Sequence, residues 1–371
     1  MMASDSTDTM GLQPPHRSHH LVGHDAALAL LGRAFMSGRM PHAWMICGPT
    51  GIGKATLAFR VARYILAHGG SSGHRADPGR FDVAPEAPAA RKIGAHAHPD
   101  LLTIERPPVK ADEGKSVDEE RRKAPEIPVD IARRIPPFLH RTPAEGGWRI
   151  VIVDEADSLN RNAANAILKV IEEPPRQALI FLVCNRPGAM LPTIRSRCRR
   201  LLLSAPGTAD VADLLTGSDT VRDRQQAMVL GQLADGSPGK AIELHEGDSV
   251  GLFRSLTETL GQGARLDIQA ASRIADRVSR PAAEADYRAF ETVTAHLVSR
   301  ILRSAATGLG GAGMLESEED IVAAGARGGL DPWLQVWEKM GRLFASADRV
   351  HLDRRQIALN VMMMLDEALR R

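Results

Sequence analysis

The stretch AWMICGPTGIGKATLAF at residues 43–59 decides the fold of this chain. Its first five residues are an apolar run that predicts a buried strand, and the apolar residues after Lys54 recur every four positions, as one face of a helix requires. Between strand and helix, Gly48 and Gly53-Lys54 fit the spacing Gly-x-x-x-x-Gly-Lys. In that context backbone N–H groups, the helix N-terminus and the lysine surround phosphate oxygens. We therefore predict a phosphate-binding loop; the alternative is a glycine turn that only packs.

The position after Lys54 holds Ala55, where a working loop carries a Ser or Thr that ligates magnesium. Thr56 follows, but a helix turns about 100° per residue, so its hydroxyl is expected to point away from the metal. The sequence thus predicts inefficient hydrolysis. Two interpretations stay open: nucleotide bound without turnover, and turnover with Thr56 or a water replacing the missing hydroxyl.

A second motif, RIVIVDEADSLN at residues 149–160, is an apolar strand that ends in Asp154 and Glu155. In nucleotide hydrolases one such carboxylate supports magnesium and the next polarises the attacking water. The alternative is that both acids are solvated charges at the end of a strand. The letters DEAD at 154–157 also occur in DEAD-box RNA helicases, but that class predicts a second α/β domain and a later Ser-Ala-Thr motif, and the sequence offers neither.

The order of the elements predicts an α/β fold with a parallel sheet, followed by an all-α part. We expect strands near 43–47, 101–104, 150–153 and 179–183, with helices near 25–36, 129–134 and 163–173 and another through Leu57, Val61 and Ile65. Residues 68–99 and 106–127 are interpreted as loop-like insertions that carry little chemistry. From about residue 206 strand signals vanish, and helical patterns run to a final helix near 355–369.

Composition excludes several classes of protein. The chain has 371 residues, which suits two or three domains, and a net charge of +2, which argues against strong binding to nucleic acid by the chain alone. Three separated cysteines fit a reducing compartment. The absence of any long apolar stretch predicts a cytoplasmic protein that is neither secreted nor membrane-spanning.

Four segments carry a resemblance to a known family: residues 21–58, 146–175 (GGWRIVIVDEADSLNRNAANAILKVIEEPP), 179–185 (LIFLVCN) and 191–201 (LPTIRSRCRRL). Together they resemble the clamp-loader branch of the AAA+ ATPases. The resemblance implies an AAA+ P-loop module at 21–205; the polar, aperiodic residues 1–20 before it predict a disordered leader. The resemblance further implies a helical lid at 206–245 and a helical collar for oligomerisation at 246–371.

The resemblance also implies roles for single residues. In Ser196-Arg197-Cys198, Arg197 would be an arginine finger that completes a neighbouring subunit's ATP site; the alternative is a surface arginine that is solvated or touches DNA phosphates. Asn185 matches the first sensor position, although a strand-end Asn is also ordinary turn chemistry. Lys240 matches the second sensor, where Arg is commoner. The expected nucleotide-binding residues are Gly48, Gly51, Gly53, Lys54, Ala55, Thr56, Asn185 and Lys240.

By resemblance, the chain would help load a sliding clamp onto primer-template DNA within a hetero-pentamer of loader subunits. ATP would bind weakly or without hydrolysis, and magnesium only together with nucleotide. Relatives often carry a four-cysteine zinc module, but residues 68–99 contain no cysteine, so no zinc or other metal site is expected. Two alternatives stay open: a catalytically active ATPase subunit of the same machine, and a plain interaction protein that has lost both functions.

Overall fold

The computed structural model describes residues 13–69, 80–108, 123–145, 147–261, 266–280, 283–308, 316–350 and 353–370. The chain divides into two compact units, Met1–Asp210 and Val211–Arg371. Each unit is described by itself below.

The first unit is built on one parallel sheet with strand order β2-β3-β4-β1-β5. Its strands are β1 (Ala43–Cys47), β2 (Leu101–Ile104), β3 (Arg149–Val153), β4 (Ala178–Cys184) and β5 (Arg199–Leu202). The predicted α/β parallel fold is therefore confirmed. The edge strand β5 was not predicted as a strand, because only one of its four residues, Leu201, is buried.

Helices of the first unit cover both faces of the sheet. They are α1 (Asp25–Met36), α2 (Lys54–His68), α3 (Pro88–Gly94), α4 (Val129–Ala132), α5 (Ile135–His140), α6 (Arg161–Glu172) and α7 (Pro192–Arg197). On β1, Met45 and Cys47 enter one apolar cluster, whereas Trp44 and Ile46 enter the other. This alternation follows from the two-residue period of a strand and fills the core on both sides of the sheet.

Two expectations about loops were wrong within the described residues. Residues 88–94 form α3 inside the segment predicted to be a loop-like insertion; proline stands at the first helical position and Ile93 is fully buried. Residues 13–20 of the predicted disordered leader pack on α2, where Arg63 Nη2 donates to the carbonyl oxygens of His16 and Ser18 at 3.2 and 3.1 Å. The leader makes these contacts through backbone carbonyls, so its sequence shows no periodic pattern of apolar residues that would predict them. Residues 1–12 lie outside the described residues.

The second unit is helical throughout its described residues. After α8 (Thr208–Gly217), which spans the unit boundary, come α9 (Arg224–Leu233), α10 (Pro238–Glu246), α11 (Ser249–Gly261), α12 (Ile268–Val278), α13 (Glu284–Thr307), α14 (Glu316–Arg327), α15 (Asp331–Val350) and α16 (Arg354–Leu369). The boundary predicted between lid and collar, near residue 245, falls at the end of α10 and stays a prediction. Among the described helices, none is long and apolar enough to cross a membrane.

Candidate nucleotide site and exposed arginine

The glycine loop joins β1 to α2 at the carboxyl edge of the sheet. Gly51 and Gly53 have φ angles of 75° and 99°, a region that L side chains rarely adopt. A Cβ atom at Gly48 would lie 2.6 Å from the carbonyl oxygen of Leu203, so this position has no room for a side chain. The three glycines are therefore needed to let the chain turn from the strand into the first turn of α2, where Ala55 and Thr56 are both half-buried.

Lys54 is buried and its ammonium group donates a hydrogen bond to the carbonyl of Pro49 in the same loop. Burial lowers the pKa of Lys54, and the carboxylates of Asp154 and Asp157 oppose that shift. His24 Nε2 lies 2.7 Å from the carbonyl oxygen of Ile52 and ties α1 to the loop. One hydrogen bond to the Pro49 carbonyl leaves further N–H donors on the ammonium group for a phosphate.

The position after Lys54 supplies no side-chain oxygen for a magnesium ion. Asp154 is in place after β3, but its Oδ1 accepts the backbone N–H of Glu155 at 3.0 Å, and burial followed by the charge of Glu155 raises the pKa of its carboxyl. Ala55 offers no oxygen. Within the described ranges, no group of three or more His, Cys, Asp and Glu residues is arranged to hold a metal ion.

Glu155, predicted to polarise the attacking water, is held by a residue that the sequence analysis missed. Arg106 pairs with it through two nitrogens, with Nη2 lying 3.0 Å from Oε1. Both side chains are about one quarter exposed, 28% and 27%. Arg106 begins a segment that was expected to carry little chemistry, and no motif in the sequence links it to the acid 49 positions later.

Asp157 is a second residue whose role the sequence analysis missed. Its side chain is 4% exposed, and its Oδ1 accepts the backbone N–H of Asn185 at 2.9 Å. The last acid of the DEAD letters thus fixes the end of β4 beside the loop, where the N–H of Gly48 points to the carbonyl of Cys184 at 3.4 Å. Gly48, Lys54, Asp154 and Asn185 therefore share one edge of the sheet.

Arg197 is the last residue of α7 and its side chain is 41% exposed. Its Nη1 donates to the carbonyl of Thr193 at 3.0 Å, and its Nε lies 2.8 Å from Oε1 of Glu172. Glu172 is the last residue of α6, shortly before two prolines, and its carboxylate pairs with Arg197.

Lys240 belongs to the second unit, whereas the other predicted site residues belong to the first. It belongs to the first turn of α10, where its backbone N–H donates to Oγ of Ser237 at 3.3 Å, and its Nζ lies 4.0 Å from Oδ2 of Asp235. Its sensor role stays a prediction.

A parallel sheet with a glycine loop after β1, acids after β3 and a polar residue after β4 defines an α/β module of the P-loop type. The model of the family described as DNA polymerase III, delta subunit, matches residues 23–206. The match covers 184 of the 371 residues, just under half of the chain. The match ends at the point where the sheet has been completed and the helical unit begins.

Curated relatives narrow the similarity to a delta-prime-like subunit. The DNA polymerase III subunit delta' of Pseudomonas aeruginosa is 32% identical over 204 residues, covering 55% of this chain and 56% of the relative. The Escherichia coli K12 subunit delta' is 29% identical over 227 residues, 61% of each chain. The Escherichia coli K12 subunit tau is 25% identical over 235 residues, 62% of this chain and 33% of the relative. The chain spans less than two thirds of the length of each.

Proposed function

We propose that this chain is a delta-prime-like subunit of the DNA polymerase III clamp loader. In this role it helps place the sliding clamp on primer-template DNA while neighbouring subunits hydrolyse ATP. The family match over residues 23–206 and the relatives that carry the delta' name support the proposal. Its partners would be the gamma/tau and delta subunits of a cytoplasmic hetero-pentamer, with clamp and DNA contacted through the complex.

One observation carries the assignment of this chain as a partner rather than a motor: it keeps an exposed Arg197 while its own magnesium site lacks the oxygen that Ala55 cannot supply. The pairing of Glu155 with Arg106 adds to this, because a carboxylate that accepts two N–H bonds from a guanidinium is poorly placed to polarise water. We infer weak nucleotide binding at Lys54 without turnover.

The chemical contribution of the chain would then be made in trans. A guanidinium is planar, permanently charged and carries donors that match phosphate oxygens, so Arg197 placed at a neighbour's nucleotide stabilises charge that develops during phosphoryl transfer. A rigid site serves this purpose better than a mobile one, since less side-chain entropy is lost when the contact forms.

A second candidate function is an active ATPase subunit of the gamma/tau type. The loop geometry, Lys54 and Asp154 favour it, as does the similarity to subunit tau. In this alternative Thr56 or a water takes the place of the missing hydroxyl.

The test uses the purified chain and the reconstituted loader. The purified chain is expected to show no magnesium-dependent ATP turnover above background, and clear turnover would favour the active ATPase. In the reconstituted loader Arg197→Ala is expected to lower DNA-stimulated ATP turnover roughly tenfold or more. Arg199→Ala, an exposed arginine two positions away, is the matched control. If both variants kept the wild-type rate of ATP turnover, the chain would serve the loader only as an interaction partner.

A further inference from the structure

The contact between Glu172 and Arg197 joins two helix ends. Glu172 is the last residue of α6 and Arg197 the last residue of α7, and the carboxylate Oε1 lies 2.8 Å from the guanidinium Nε. Nη1 donates to the carbonyl of Thr193 at 3.0 Å and to Oγ of Ser196 at 3.4 Å, and these contacts restrict the orientation of the guanidinium plane. Two contacts through different nitrogens define a plane, whereas one contact would leave it free to rotate.

The backbone on both sides of Arg197 is anchored in the core. Ile194 is fully buried in the apolar cluster that Met45 and Cys47 enter, and Cys198 is 8% exposed and donates its N–H to the carbonyl of Ile194 at 3.2 Å. The Cα atom of Arg197 therefore has a fixed position, and the remaining freedom lies in the side chain. An arginine side chain carries about 2 kcal/mol of rotamer entropy, which any partner contact has to overcome unless the side chain is held beforehand.

We propose that Glu172 is a positioning residue for Arg197: it holds the guanidinium by Nε so that its terminal edge faces a neighbouring subunit's phosphate. This inference rests on the proposed role of Arg197 in trans. Nε lies on the stem side of the fork and Nη1 donates back to its own helix, so the donors of Nη2 remain for a second anion. Both side chains are less than half exposed, 41% and 44%, which leaves the pair reachable from outside the unit.

Glu173 provides a matched control within the same sequence. It is the next residue, carries the same charge and is exposed, but Arg197 pairs with Glu172 and not with Glu173 among the described ion pairs. A general effect of surface charge near the arginine would be felt equally at both positions. A positioning effect would be confined to Glu172.

The experiment measures DNA-stimulated ATP turnover of the reconstituted loader with Glu172→Ala, Glu172→Gln, Glu173→Ala, Arg197→Ala and the double variant Glu172→Ala/Arg197→Ala. We expect Glu172→Ala to lower kcat roughly twofold to fivefold, in line with the coupling of an exposed ion pair. Glu172→Gln, which keeps an oxygen for Nε, is expected to recover part of that loss, and Glu173→Ala is expected to match the wild type. The double variant should equal Arg197→Ala, because Glu172 acts only through the arginine.

The outcomes separate this inference from the proposed function. If Arg197→Ala slows turnover and Glu172→Ala leaves it unchanged or faster, Glu172 does not position the arginine, although the role of Arg197 stands. Additive losses in the double variant would also overturn the inference. If Arg197→Ala has no effect on turnover, the proposed role of Arg197 in trans is wrong, and the inference about Glu172 is overturned with it. Circular dichroism and pentamer assembly of each variant check that lost turnover does not reflect unfolding.

Discussion

The guanidinium of Arg106 binds the carboxylate of Glu155 through two nitrogens, with Nη2 lying 3.0 Å from Oε1. The acid that would activate water in this chain is thus paired within its own module. In the phosphate loop next to it, Lys54 is buried and donates a hydrogen bond to the carbonyl of Pro49. Two separate features, a missing magnesium ligand and an engaged glutamate, argue against turnover at this site.

The two features predict that neither substitution alone restores hydrolysis. Ala55→Thr supplies the metal-ligating oxygen but leaves Glu155 paired, and Arg106→Ala frees Glu155 but leaves the metal ligands incomplete. We expect magnesium-dependent nucleotide affinity to rise in Ala55→Thr, and measurable ATP turnover to appear only in the double variant. Calorimetric titration and a phosphate-release assay on the purified chain check this. If a single variant turned over ATP as fast as the double variant, the defect that it leaves uncorrected would not limit hydrolysis.

Gly48 predicts a steric effect on stability. An added Cβ would lie 2.6 Å from the Leu203 carbonyl and 2.8 Å from Ile52 Cδ1, so Gly48→Ala is expected to lower the free energy of unfolding by about 1–3 kcal/mol. Gly188→Ala is the matched control, because nothing lies within 4 Å of the added atom there. Denaturant midpoints of the two variants make the comparison, and equal midpoints would contradict the prediction.

The sequence predicted four of the five strands because buried parallel strands read as continuous apolar runs. The strand β5 was not predicted, because an edge strand with one buried residue has no such run. Helix α3 was not predicted either, because a helix as short as Pro88–Gly94 shows no clear helical period of apolar residues. The α/β architecture could therefore be read from the pattern, whereas its edges could not.

Only those residues of the candidate site that belong to a sequence motif could be predicted. Gly48, Lys54, Asp154 and Asn185 follow strands in known spacings, and the fold brings them to one edge. The partners that decide what the site can do, Arg106 for Glu155 and Glu172 for Arg197, are 49 and 25 positions away in the chain. Side-chain pairs at such separations depend on tertiary packing, and a single sequence holds no signal for them.

An exposed apolar stripe on the second unit predicts where the proposed collar contacts its neighbours. Leu334 and Trp337 are 47% and 44% exposed and, three positions apart, lie on one face of α15, and Leu330, 39% exposed, directly precedes the helix. We expect Trp337→Glu to weaken assembly with the other loader subunits roughly thirtyfold or more, since buried tryptophans dominate interfaces. Glu338→Gln, one position along the same helix, is the control. Sedimentation of the mixed subunits measures it, and unchanged assembly of Trp337→Glu would exclude this stripe from the interface.

His296 predicts how the stability of the chain responds to acid. Its side chain is 12% exposed, and burial, together with the neighbouring charge of Arg300, lowers its pKa from 6.5 to about 4. Arg300 is engaged with the buried Glu318 at 3.1 Å, and His296 Nε2 lies 3.8 Å from the same carboxylate oxygen. The imidazole is thus neutral in the folded chain over most of the range in which a free histidine is charged.

Because the folded pKa is the lower one, the unfolded chain binds the extra proton between pH 6.5 and about 4, and the stability of the fold falls as the pH is lowered through that window. At pH 5 the loss relative to pH 7 amounts to about 2 kcal/mol from this residue. His296→Gln removes the titrating group, so its unfolding free energy is expected to change less between pH 7 and pH 5 than that of the wild type. His245→Gln, on α10 of the same unit, should keep the wild-type response. Urea denaturation at the two pH values measures all three proteins; an equal loss in wild type and His296→Gln would mean that other groups govern the acid response.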